Sequence, residues 1–256
     1  MSISTIISIG LPIVFFIFIY KKYNAKFLPM IIGAAAFIIF VLVLEYSIHS
    51  IVFKIYPLKE KPFVYILYGI LMASIFEETA RLISFKILKK KYTGIETGLS
   101  YGIGHGGTEA VLIAGISMII AIIFSILINT GNTEAITGKL QGEALIRMEI
   151  QLNTIITTAP YIFLISGVER IFAIILQISL SVIVFYSVFR KGKIWLFPAA
   201  ILLHAVADIP AAAMQVNILK NLLFVECLIA VLCAAVIIIA YFVHKSLKDG
   251  ESRKDL

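Results

Sequence analysis

Polar residues are sparse along this chain, and they fall in clumps between long apolar runs. The runs cover roughly residues 3–20, 29–53, 62–86, 97–128, 158–189, 194–215 and 219–243. Between them lie short polar breaks: "KKYNAK", "YPLKEKP", "LKKKYTG", "RKGK", "QVNILKN", the longer "NTGNTEAITGKLQGEALIRMEIQLN" and the tail "HKSLKDGESRKDL". About 20 apolar residues at 1.5 Å rise span a bilayer core, so each run reads as a transmembrane helix. The pattern predicts an all-α polytopic membrane bundle of about seven helices. The runs are continuous and do not alternate inside and outside, which excludes a β-barrel. The 129–157 segment has room for a short amphipathic helix on the outer surface.

Composition agrees with the pattern. Of 256 residues, 61% are hydrophobic and 14% charged, with a mean hydropathy of +1.02. A soluble domain is closer to half apolar and a quarter charged, and this chain has too little polar sequence to cover so large a core. The net charge of +7 is not a nucleic-acid footprint, because most of the Lys and Arg sit at loop positions. They divide fourteen to six between alternate sides, which predicts an outside N-terminus and an inside C-terminus. Cys227 and Cys233 both lie in the last run and are expected to be plain apolar residues. The first run lacks a basic n-region and an A-x-A site, so it is expected to be a retained helix and not a signal peptide. No internal repeat or second domain is visible, and residues 1–256 are expected to form one transmembrane domain in the cell membrane.

The exceptions to apolarity carry the chemistry. "SIFEETARLISF", positions 74–85, places Glu77, Glu78 and Arg81 inside a spanning helix. A charge at the bilayer centre costs about 2.5–3.5 kcal/mol or more, so such residues are rare and functional by default. His105 and Glu109 in span 4, and His204 and Asp208 in span 6, repeat the i,i+4 spacing of Glu77 and Arg81, which puts each pair on one helix face. At 1.5 Å rise per residue, Glu77, His105 and His204 fall about 12–15 Å from the inner ends of their helices, with Glu109 and Asp208 one turn further. Three polar faces at nearly one level point to a single wet cavity.

Glu plus His at one depth is the equipment for activating a water, and a second His beside Asp208 is placed to stabilise an oxyanion. Two His and several carboxylates are also a zinc donor set, with His105, Glu109, His204 and Asp208 as the ligands if a metal is present. Metal-free glutamate chemistry is preferred here, and zinc is kept as the alternative. A proton-coupled transporter is a further alternative, since midplane carboxylates and histidines also build proton relays. In span 4, Gly98, Gly102 and Gly106 recur every fourth residue, and Gly104 and Gly107 lie close to His105. That thin face suits either helix packing or approach of a substrate. Glu169 and Arg170 are read as an intramembrane ion pair. Glu45, Glu226, His49 and His244 are read as interfacial, and Trp195 as an inner-interface anchor.

"FEETARL", "YGIGHGGTEA" and "HAVADIP", in that order on three helices, resemble the YhfC family of intramembrane proteases over nearly the whole chain. More distantly the pattern is similar to the CAAX-protease and bacteriocin-processing families, with their diglutamate–arginine, aromatic-x3-His and His-x3-Asn/Asp motifs. The resemblance implies an intramembrane endopeptidase acting on a peptide or membrane-protein substrate in a lipid surround. It implies roles at the site for Glu77, Glu78, Arg81, His105, His204 and Asp208, and Glu109 joins the candidate catalytic residues by sharing a helix face with His105. Glu77 and His105 would activate water, and His204 with Asp208 would hold the oxyanion. Two departures stand out: Arg81 follows the glutamates one residue sooner than in the CAAX-protease pattern, and position 208 is Asp where Asn is also used. An ionised Asp cannot donate to an oxyanion, so Asp208 is either protonated or an orienter of His204. Glu109 is an extra carboxylate.

Overall fold

The computed structural model describes residues 1–252, and every regular element among them is helical. Arg253 and Lys254, counted in the basic tail, lie outside the described residues. Seven helices have the length and apolarity to cross a bilayer: α1 Ser2–Tyr23, α2 Phe27–Ile55, α3 Pro62–Leu88, α4 Ile95–Asn129, α6 Pro160–Phe189, α7 Leu196–Gln215 and α8 Leu222–Ser252. Each crossing span among the described residues, Leu222–Leu247 in the case of α8, matches an apolar run to within four residues at either end. Helix is the outcome because lipid offers no partner for a free backbone group, so each crossing segment must satisfy its own. Pro62 sits at the N-terminus of α3, where a missing N–H costs nothing. The long polar break holds one helical turn, Glu134–Thr137, and a mostly exposed helix, α5 Gly142–Thr157, of which Leu152 is the buried residue.

Two of the crossing helices are wound wider over one stretch. Residues Ile38–Glu45 of α2 and Ala110–Gly115 of α4 form π turns, and the Tyr46 N–H reaches the Val41 carbonyl five residues back. Such a turn rotates everything after it relative to a plain α-helix, and it is found preferentially at functional sites.

The described residues group into two compact units. The first takes Met1–Leu11 and Ala110–Ile171. In it, Ser4 Oγ donates to the Phe163 carbonyl, and a Cβ on Gly167 would stand 2.8 Å from Ser4 Cα. Arg170 donates to Glu169, so these two charges pair with each other, and Arg147 pairs with Glu143 at 2.5 Å on the exposed face of α5.

The second unit takes Pro12–Glu109 and the chain from Phe172 onward. Its core is built by Phe85, Tyr101, Leu180, Ile183, Val184, Phe185, Leu196 and Ala200, with Val236 and Ala240 from α8. Helix α6 is the central one: 67% of its most apolar stretch is buried, against 17–44% in the other six. Burial between helices in lipid gains little from the hydrophobic effect, so close van der Waals approach and polar contacts must hold them. The glycines of α4 supply the approach. A Cβ on Gly102 would stand 2.6 Å from Ile178 Cα, and one on Gly106 would stand 2.7 Å from Gln177 Cβ. On another side of α4, Gly104 lies against the Met30 carbonyl of α2, and Gly33 of α2 lies against the Tyr101 carbonyl. The thin face of α4 is therefore a packing face, taken up by α6 and α2. Its consequence for the site is that His105 is brought beside α6.

Candidate active site

The site is assembled from α3, α4, α6 and α7 in the second unit. Adjacent positions on a helix diverge by about 100°, so Glu77 and Glu78 on α3 face different neighbours. Glu77 Oε2 lies 2.9 Å from His105 Nε2 of α4, and Glu78 Oε1 lies 2.8 Å from His204 Nδ1 of α7. Arg81, one turn on, stands between the two carboxylates. Its Nη1 donates to Glu78 at 2.6 Å and its Nη2 to Glu77 at 3.4 Å. Glu78, Arg81 and His105 are fully buried, His204 is 2% exposed and Glu77 6%. A planar guanidinium with five donors in a fixed fork can serve several acceptors at once, which a lysine cannot.

Two residues that sequence reasoning passed over complete the network. Gln177 of α6 donates from Nε2 to Glu77 Oε2 at 2.9 Å and to Glu109 Oε2 at 2.8 Å, and its Oε1 accepts from Arg81 Nη2. Ser181, one turn later, accepts from Arg81 Nε at 3.2 Å. Gln177 and Ser181 are themselves an i,i+4 polar pair inside an apolar run, the same signal that singled out the other three helices. Around His105 the walls are aromatic: Tyr101 stacks at 5.9 Å and Phe37 meets the ring edge-on at 5.3 Å. His105 Nδ1 is buried without a hydrogen-bond partner, so Nε2 carries the ring's polar contact.

All seven residues singled out in the motifs thus lie in one connected network. Asp208 stands 3.5 Å from His204 Nε2, and Glu109 is reached through Gln177. The motif-based pairing of His204 with Asp208 is the longer of its two contacts; the shorter goes to Glu78. Helix spacing alone left either glutamate available to Arg81, and both are contacted, Glu78 at the shorter distance.

Glu45 of α2 is buried against its neighbours, where its position near a run's end had implied a side chain reaching the interface. Glu45 is 5% exposed, its Oε1 lies 3.1 Å from His49 Nε2, and His49 Nδ1 lies 2.9 Å from the Tyr68 hydroxyl of α3. The π turn that ends at Glu45 alters which direction it faces, and counting residues from a helix end does not register that rotation. Trp195, 57% exposed at the start of α7, keeps the exposure an interfacial anchor needs.

A seven-helix membrane fold with a buried network of carboxylates, imidazoles and one arginine defines the class to which the chain belongs, and comparison with known proteins places it within that class. The sequence profile of the YhfC family, described as YhfC intramembrane metalloprotease, matches residues 7–229. The membrane protein YhfC of Bacillus subtilis (strain 168) is 35% identical over 240 residues, covering 91% of each chain. The chain belongs to the YhfC family. No solved structure matches it.

The family's description raises the question of a metal. A catalytic zinc is held by three N, O or S donors at about 2.0–2.3 Å, which sets neighbouring N and O donors in a tetrahedral shell about 3.3–3.6 Å apart. His204 Nε2 and Asp208 Oδ2, at 3.5 Å, have that separation. The His105–Glu77 and His204–Glu78 contacts, at 2.9 and 2.8 Å, are hydrogen bonds, too short for two donors of one zinc. Among the described residues no three His, Cys, Asp or Glu side chains are arranged to hold an ion. As placed, the side chains offer two donors where a catalytic zinc takes three, and they do not fit it.

Proposed function

We propose that this protein is an intramembrane endopeptidase in which Glu77 activates the hydrolytic water. The observation that carries the reading is the inequality of the two glutamates. Glu78 is sealed between Arg81 and His204, whereas Glu77 keeps some exposure and receives His105, Gln177 and Arg81 all on Oε2. Its other oxygen, Oε1, is left for a water. General base catalysis of this kind contributes about 10²–10⁴-fold when the base lies within hydrogen-bond reach.

The steps follow from that placement. Glu77 Oε1 takes a proton from water as the water oxygen bonds to the scissile carbonyl carbon. The electron pair of the C=O bond moves to its oxygen, and His204 donates a hydrogen bond to that oxyanion from Nε2–H. Collapse of the tetrahedral species expels the amine, which receives the proton held by Glu77. His105 fixes the Glu77 carboxylate, and Glu78, 2.8 Å from Nδ1, fixes the His204 ring. Asp208, 3.5 Å from Nε2, accepts that N–H before substrate binds and yields it to the oxyanion. The motif likeness to the CAAX-protease and bacteriocin-processing families supports the same division of labour.

The test uses the full chain purified in detergent, incubated with quenched-fluorescent apolar peptides and with solubilised membrane proteins, new termini being read by mass spectrometry. Glu77→Gln and His105→Ala are expected to abolish cleavage at unchanged folded yield; activity in both refutes the assignment. The alternative, a zinc-dependent reading, rests on the family's description. Stoichiometric zinc in the purified protein, with activity lost on chelation and restored by zinc, would establish it over the glutamate scheme.

A further inference from the structure

A cavity of about 360 Å³ opens beside the network, lined by Glu45, His49 and Phe53 of α2, Tyr65 and Tyr68 of α3, and Asp208 of α7. Asp208 belongs to both places, since it is also the neighbour of His204 Nε2. The cavity is polar on one side and aromatic on the other. Phe53 lies 6.0 Å from Tyr65 and 6.0 Å from Tyr68, and it stacks on His49 at 5.6 Å.

The Glu45 carboxylate is the feature that calls for a ligand. One oxygen is engaged by His49; the other, Oε2, is buried with no hydrogen-bond partner. An unsatisfied buried carboxylate oxygen is costly unless something completes it. His49 cannot do so, because its second nitrogen is already engaged by Tyr68. Charge points the same way. Glu45 lies within electrostatic reach of Glu77, His204 and Asp208, and the cavity wall carries the two carboxylates of Glu45 and Asp208 with no Lys or Arg among its lining residues. A low-dielectric pocket with that balance attracts a cation. An aromatic wall suits the aliphatic stem and charged head of Lys or Arg together. Among the described residues no three His, Cys, Asp or Glu side chains are arranged to hold a metal, so the cation that fits is an organic one.

We propose that this cavity is a substrate subsite for a lysine or arginine side chain, with Glu45 as the residue that recognises its charge. The inference rests on the endopeptidase reading, and it sets the substrate class: a membrane-embedded segment carrying one basic residue close to the cleaved bond. Binding of that residue carries the adjoining backbone past Asp208 toward His204 and Glu77. The subsite also gives the wide turn of α2 that ends at Glu45 a functional role, as such turns often have.

The probe is a set of apolar peptides identical except for Lys, Arg, Glu, Gln or Leu at one central position. The full chain in detergent is expected to cleave the Lys and Arg peptides at least tenfold more efficiently in kcat/KM than the Leu or Glu peptides, at a constant offset from the basic residue. Glu45→Gln, nearly isosteric, is expected to remove that preference and leave cleavage of the Leu peptide within about twofold. Gly69→Leu fills the same cavity independently, since nothing lies within 4 Å of where its Cβ would stand, and it is expected to abolish the preference as well. Equilibrium binding of the same peptides to Glu77→Gln protein separates the two readings. Cleavage without a basic preference overturns the subsite and leaves the endopeptidase standing. Binding of the Lys peptide that depends on Glu45, with no peptide cleaved by the native chain, supports the subsite and overturns the endopeptidase. A preference retained in Glu45→Gln, or a preference for the Glu peptide, overturns the subsite.

Discussion

Removing Arg81 gives the sharpest test of how this network is held. The guanidinium is fully buried and donates to Glu78, Glu77, Gln177 and Ser181. In Arg81→Met the apolar stem is kept and the charge is lost. Glu78, itself fully buried, is then left ionised without its cation. Breaking a buried pair by deleting one partner costs about 3–5 kcal/mol, because an uncompensated charge stays behind. Hydrogen bonds between membrane helices average about 0.6 kcal/mol each, so the lost contacts to Gln177 and Ser181 add little beside that. The double variant Arg81→Met with Glu78→Gln removes both charges, and most of the loss is expected to return, since exchanging both partners of a buried pair for neutral groups is close to neutral. Equilibrium unfolding in mixed micelles, with a mixed-detergent titration followed by circular dichroism, measures all three proteins. A cost below about 1 kcal/mol for Arg81→Met, or a double variant no more stable than the single one, refutes the claim that Arg81 is there to compensate Glu78.

Gln177→Leu removes one hydrogen bond from each of Glu77, Glu109 and Arg81 at once; peptide cleavage is expected to fall by at least tenfold while Gln177→Ala falls no less, and unchanged kcat in both would remove Gln177 from the network's function. Gly102→Leu places a side chain where Ile178 Cα already stands 2.6 Å from an ideal Cβ, and overpacking of this kind costs about 1–3 kcal/mol or more; a detergent melting scan checks it. Gly10→Ala, where nothing lies within 4 Å, is the control and is expected to leave the melting point unchanged or raise it, because Gly costs about 1 kcal/mol relative to Ala in a helix.

The number and limits of the membrane helices could be read from the chain because they answer to a one-dimensional rule. An apolar run must be long enough to cross the hydrocarbon and must satisfy its own backbone, and neither condition involves a neighbour. The same is true of the i,i+4 pairs: Glu77 with Arg81, His105 with Glu109, and His204 with Asp208 share faces by helix geometry alone. The tilt of α4 against α6 was half legible, since a glycine stripe announces close approach without saying to what.

What stands opposite each face was settled in three dimensions. Spacing says that Glu77 and Glu78 diverge; it does not say that one meets His105 and the other His204, because that depends on the rotation of α3 against α4 and α7. Gln177 and Ser181 drew no notice in the sequence until α6 proved to be the central helix, and Glu45 looked interfacial until a π turn and the packing of α2 on α3 buried it beside His49 and Tyr68. Local chemistry decides which residues a helix shows on a face, and it acts through bonds a few residues long. Which faces meet is decided by side-chain packing between helices distant in sequence, and no local pattern encodes that.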